Sequence, residues 1–260
     1  MSLSSNPKRS LIIVMSTLFV IGFAVAKFYY SNENKYVDPR VIPARELYSK
    51  YNAYAEDNNF SAVFSLLDSI ETIYKNIAHY KNSYEIGVLY NNRAASYLTM
   101  AIHFADSSLS LNGVTILSTD SLLSLGKINA KTSIEIYQNW LDYFSEKELD
   151  KISTQIKSEY IQGITLEKEA DGLKFLEKRM EEIETAKYET PRRLSVAYTN
   201  LGIVERHAGN LEEAVKLYIK ALELWERNLS AKNNINVLLG RPLEKGRVIH
   251  KFFPPDKAKK

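Results

Sequence analysis

The chain of 260 residues has no cysteine. That excludes disulfides, thiolate metal sites, a cysteine nucleophile and a lipidated cysteine anchor. Proline is also scarce: it stands at positions 7, 39, 43, 191, 242, 254 and 255, and nowhere from residue 44 to 190. Glycine is sparse in the same stretch, at Gly87, Gly113, Gly126, Gly163 and Gly172. Proline removes a helix hydrogen bond and glycine weakens helices, so a long segment poor in both fits stacked helices. Sandwiches and barrels need far more turn residues, so the expected class is all-α. No sign of charge dominates, with 34 Lys and Arg against 31 Asp and Glu. A net charge of +3 does not point to nucleic acid, and no such partner is expected. Apolar residues are not lacking, since 45% hydrophobic and 25% charged are proportions of a chain with a core.

The common signatures of chemistry are missing too. There is no G-x-G-x-x-G, no G-x-x-x-x-G-K-[ST] and no G-x-S-x-G. The four histidines are His79, His103, His207 and His250. None makes a helical ligand pair or an H-E-x-x-H motif, so no metal and no cofactor is expected. His207 reads as a solvated helix end. Carboxylates such as Glu181, Glu182 and Glu184 are of the type used in acid–base catalysis. On a lysine-rich helix they read as a solvated face, with Lys174 meeting Glu177 and Lys178 meeting Glu181 and Glu182. No catalytic residue is assigned. A rival reading, an enzyme or an enzyme's accessory subunit, would place its site in residues 107–190.

What is present begins with an apolar run. Residues 11–30 read LIIVMSTLFVIGFAVAKFYY, with no charge before Lys27. Twenty helical residues rise about 30 Å, the thickness of a hydrocarbon core. Lys8 and Arg9 precede the run, in a basic tail of residues 1–10. Phe28, Tyr29 and Tyr30 follow as an interfacial belt would, and Lys27 can snorkel. The expectation is a single transmembrane helix. A cleaved signal peptide, with Ala24-Val25-Ala26 as its site, would instead leave a secreted soluble binding protein. A buried soluble helix fits least, because the run has no polar face. The short basic tail favours an N-terminus inside and an extracytoplasmic C-terminal domain, periplasmic in a bacterium. Lys27, Lys35, Arg40 and Arg45 weaken that argument. Residues 31–43, polar and with two prolines, read as a linker.

Beyond the linker, helices come in pairs over residues 44–240. The clearest pair spans 190–225. Thr190 is placed to cap and Pro191 to open the first helix. Leu194, Tyr198, Leu201, Ile203 and Val204 then recur at helical spacing. Ala208-Gly209-Asn210 breaks it, and Leu211, Ala214, Val215, Tyr218, Ala221, Leu222 and Trp225 face one way on the next. So tight a turn makes the two antiparallel neighbours. Gly202, Ala208, Ala214 and Ala221 are small enough to let them approach closely.

Tyr198-Thr199-Asn200-Leu201-Gly202, then Gly209-Asn210, then Ala214, Tyr218 and Ala221 resemble a tetratricopeptide repeat over residues 191–227. Two positions depart: Glu205 stands where an aromatic is usual, and Glu226 where proline is usual. Weaker copies lie upstream. Leu47, Tyr51 and Tyr54 pair with Val63, Leu67 and Ile70. Tyr90, Arg93, Ala94 and Tyr97 resemble another first helix, its partner displaced by a loop at 107–119 to residues 122–144. A third pair, opened by a Ser145–Glu148 capping box, runs to residue 161 and returns over 166–187. Residues 230–239 read as a final cap ended by Gly240 and Pro242. Four pairs and a cap exceed the three repeats that a stable stack needs.

The resemblance implies a right-handed α-solenoid that binds a protein or peptide on its concave face. There the first helix of each pair would offer Asn91, Ala95, Leu98, Thr99, Thr199, Ile203 and Arg206. Asn91 and Thr199 stand where a lysine would signal a carboxylate clamp, so no chaperone C-terminus is implied. Of the 17 tyrosines, Tyr54, Tyr90, Tyr97, Tyr198 and Tyr218 fall at core spacings, and Tyr74, Tyr80, Tyr84 and Tyr143 are left open. The basic tail, residues 241–260, has the composition of a disordered segment. The expectation overall is a single-pass membrane protein presenting an interaction scaffold.

Overall fold

A computed structural model describes residues 35–104, 117–166, 168 and 171–245. The apolar run 11–30, the tail 1–10, most of the loop 107–119 and residues 246–260 lie outside the described residues. Among the described residues there are helices and connections and no strand. None of these helices is long and apolar enough to cross a membrane.

The first pair is α1 (Ile42–Tyr48) and α2 (Tyr51–Glu56) against α3 (Phe60–Lys75). The single first helix expected from Leu47, Tyr51 and Tyr54 is broken at Ser49–Lys50. The Ser49 hydroxyl donates to the Glu46 carbonyl at 2.6 Å, offering the backbone a partner other than the helix ladder. Upstream, Val37, Asp38 and Val41 are already buried. Arg40 donates to the carbonyls of Tyr160 and Gln162 at 2.7 and 2.6 Å, so part of the stretch 31–43 is tied to the stack.

The second pair is α4 (Tyr84–His103) and α5 (Thr119–Phe144). Ser118 caps α5 by accepting from the Ser121 N–H. Gly87 lies under the Tyr137 ring: a Cβ there would stand 2.5 Å from the ring edge. In the last pair Gly202 meets Tyr218 in the same way. Both pairs thus close on a glycine of the first helix and a tyrosine of the second.

The largest departure from expectation is the next helix. α6 (Leu149–Ile161) is followed by α7 (Asp171–His207), 37 residues in one piece with Pro191 inside it. Thr190 does not cap: it is fully buried and its hydroxyl has no hydrogen-bond partner. An internal proline removes one ladder hydrogen bond and costs about 3 kcal/mol. Burial on both sides offsets that, through Leu176, Ile183 and Ala186 before Pro191 and Leu194, Ala197, Tyr198 and Leu201 after it. The third and fourth pairs therefore share one helix. The Ser145–Glu148 capping box is also not formed. Glu148 is the N-cap residue, but it makes no side-chain cap bond and pairs with Lys151 at 3.0 Å.

α8 (Leu211–Leu224) returns after Gly209, whose φ of +83° is the left-handed conformation that ends a helix. Glu205, where an aromatic was expected, is buried and bonded to Lys127 of α5 at 2.6 Å and to Asn210 at 2.8 Å. An ion pair and a turn contact replace ring packing there. α9 (Leu229–Leu238) caps the stack and ends before Gly240, as expected. Its first residue follows Asn228, which is buried. The Asn228 amide donates to Ser195 and Thr199, and its carbonyl accepts from the Ala231 N–H.

Candidate partner-binding face and the buried arginine hub

Parallel first helices sit side by side where α4 meets the second half of α7. The Asn200 amide donates to the Asn91 carbonyl oxygen at 2.9 Å and holds the two together. On the other flank of α4, Asn92 donates to the Tyr48 hydroxyl at 2.9 Å, and Tyr48 stacks on Tyr51. A layer of α1, α2, α4 and α7 thus carries a band of amides and phenols.

Of the residues named from sequence, Asn91, Ala95, Thr99, Ile203 and Arg206 are half-buried on this layer. The Thr99 hydroxyl donates back to the Ala95 carbonyl at 2.9 Å, and Arg206 lies 3.2 Å from His207, which is exposed as expected. Leu98 and Thr199 are elsewhere. Leu98 packs in the interior with Ala101, Leu122, Leu123 and Val204. Thr199 is 1% exposed, donates to the Ser195 carbonyl and accepts from Asn228. Helical periodicity alone could not separate these positions, because a first helix in a stack is packed on several sides. Tyr48, Asn92 and Asn200 were missed. Setting Tyr90 level with Tyr198 aligns Asn92 with Asn200, and that was the available signal.

A second concentration of polar groups lies around Arg179, inside the region favoured for the rival reading. Its side chain is 1% exposed. It donates to Glu85 at 2.7 Å, to Glu182 at 3.1 Å and to His79 Nε2 at 3.0 Å, and lies over the Tyr80 ring at 4.2 Å. Glu182 also takes Arg45 at 2.5 Å, while Lys178 keeps Glu181 at 2.9 Å. Glu182, one of the two carboxylates expected near Lys178, is thus held by two arginines. Lys174 meets Asp171 and the Tyr36 hydroxyl. Burial alone pushes the Glu85 carboxyl up, but the charge and hydrogen bond of Arg179 outweigh it and hold it below its usual range. Burial, with the same guanidinium charge, pulls His79 down to about 3. Among the described residues no group of His, Asp or Glu is placed to hold a metal ion.

His79 gives a pH prediction. An unfolded histidine takes up a proton near pH 6.5, whereas the folded one stays neutral until about pH 3. Between these values the unfolded state binds one more proton, so stability falls as the pH drops through that window. From pH 6.5 to 5 the loss is about 1.6 kcal/mol for this group, because the unfolded histidine is already half protonated at pH 6.5. His79→Gln keeps an acceptor for Arg179 and removes the titration. Denaturant midpoints of the full chain in detergent, measured at pH 5 and 7, should differ less in the variant than in the wild type.

The geometry defines a stack of antiparallel helix pairs whose first helices form a common layer. A family model for the tetratricopeptide repeat matches residues 193–240, so the end of the chain carries such a repeat. The repeat is an interaction fold, generally without catalytic activity of its own. Searches of curated proteins and of solved structures find no match to the chain.

Proposed function

We propose that the chain is a membrane-anchored, non-catalytic scaffold that binds a protein or peptide partner on the layer formed by α1, α2, α4 and α7. The observation that carries this reading is the Asn91–Asn200 contact, which joins the first helices of two pairs into one polar face. Amides along such a face can hydrogen-bond an extended backbone, and Ile203 and Arg206 add apolar and charged contacts. The apolar run 11–30 supports membrane attachment as a single-pass anchor, and the basic residues before it support an extracytoplasmic scaffold.

Photo-crosslinking in membranes tests the face. A benzophenone side chain at Asn92 or Arg206 should yield adducts with a partner polypeptide. The same group at Lys216, on the outer side of α8 and well exposed, should yield none. Equal adducts at Lys216, or none at the first two, would sink the reading. The anchor is tested by deleting residues 11–30, which should release the chain from alkaline-washed membranes. A mature N-terminus at Lys27 would instead make it secreted. A C-terminal reporter fusion decides orientation.

A further inference from the structure

The fused helix α7 does more than join two pairs. Residues 171–190 extend beyond the point where the last repeat would begin, and this overhang crosses the starts of α1 and α4. Between them lies a cleft of about 440 Å³, lined in part by Arg45, Tyr74, Tyr84, Glu85, Glu182 and Arg193. That size lies within the range of small-ligand sites.

The lining holds three cations and three carboxylates, and Arg179, buried beside it, adds a fourth cation. Each of three carboxylates is paired with a cation, Glu182 with Arg45 and Arg179, Glu85 with Arg179, and Glu181 with Lys178, while the second oxygen of Glu85, Oε2, is buried without a hydrogen-bond partner. Arg193 is left over. It lies over the Tyr84 ring at 5.1 Å, and among the described residues it forms no ion pair. Its Nη1 is buried with no hydrogen-bond partner. A buried donor left in this state costs free energy, which a turn of the Arg193 head towards an acceptor in the cleft would restore. A guanidinium fork matches a carboxylate in two parallel hydrogen bonds. Tyr74, Tyr84 and Ala186 offer apolar walls for the body of such a ligand. Glu85, Glu181 and Glu182 disfavour a second negative charge.

We propose that this cleft is a binding site for a small organic monocarboxylate, its carboxylate on Arg193 and its apolar body between Tyr74 and Tyr84. The site lies on the same helices as the amide-bearing face, with Glu85 and Arg193 two turns before Asn92 and Asn200, but its test does not depend on the scaffold reading. Benzoate is a suitable probe, titrated calorimetrically into the full chain in detergent micelles. Benzoate should bind, with neutral benzamide, dianionic phthalate and inorganic phosphate each at least about tenfold weaker, the scale of one charge-assisted contact. Arg193→Gln should weaken benzoate by at least the same factor. Thr185→Trp, which fills the cleft from an exposed lip and leaves every charge in place, should do so too and covers the case in which Arg193→Gln fails to fold. Absence of benzoate binding to the wild-type chain, benzamide or phosphate binding as tightly, or full affinity in the folded variants would overturn the proposal.

Discussion

Arg179→Ala is expected to lower stability by about 3–5 kcal/mol, the usual cost of stripping one partner from a buried ion pair. The arginine joins α7 to Glu85 of α4 and to His79 within the 3-10 turn Ala78–Tyr80. Its removal leaves the Glu85 carboxylate buried without its cation, and Glu182 with Arg45 alone. The Glu85 carboxyl should then rise, since burial would be opposed only by the smaller effects of the Ser83 hydroxyl and a backbone N–H. Urea denaturation of the full chain in detergent measures the loss. The triple change Arg179→Met, Glu85→Gln and Glu182→Gln should recover much of it, because no buried charge is then orphaned. Lys216→Ala breaks a pair exposed on both sides and should leave the midpoint unchanged. Recovery no better than in the single variant would show that the hub acts through shape rather than charge.

Gly202→Val should be nearly as severe, and even Gly202→Ala should destabilise. A Cβ at this position would stand 2.5 Å from Cε1 of Tyr218, which is fully buried against α7. Relief requires α7 and α8 to separate or the ring to leave its place, and such overpacking costs about 1–3 kcal/mol. The Tyr218 hydroxyl, whose pKa is pushed up to about 12 by burial, would lose its position near Asn234. Alanine favours helix over glycine by about 1 kcal/mol, which offsets only part of this. Gly126 provides the contrast. A Cβ there would make ordinary contacts at 3.6–3.8 Å with Leu98, Ala94 and Val204, so Gly126→Ala should be neutral or stabilising. Thermal midpoints that move the same way in both alanine variants would remove the steric account.

The repeat at residues 191–227 was legible because its periodicity and its small residues act locally. Gly202, Ala214, Tyr218 and Ala221 need only one another to close a helix pair, and all four are buried as their spacing required. The cap at α9 and the stop before Gly240 were legible for the same reason. The Pro191 boundary was not. A proline preceded by threonine is a sound local start signal, yet the chain runs helical through it because burial upstream outweighs one missing hydrogen bond. Ser145 and Glu148 make the opposite case, a capping pattern whose bond does not form.

By itself the sequence determined the helical class, the pairing of helices, the repeat at the end of the chain and the apolar run at its start. These depend on composition and on spacings within a few turns. Only the tertiary structure decided that two pairs share the helix α7, that Leu98 and Thr199 face inward, and that Arg179 gathers carboxylates from distant segments. The physical reason is range. Hydrogen bonding within a helix is settled over four residues, whereas the partners of a buried charge are settled by which helices pack together. Glu85 and Arg179 lie 94 positions apart in sequence and 2.7 Å apart in the fold, and no local pattern records that pair.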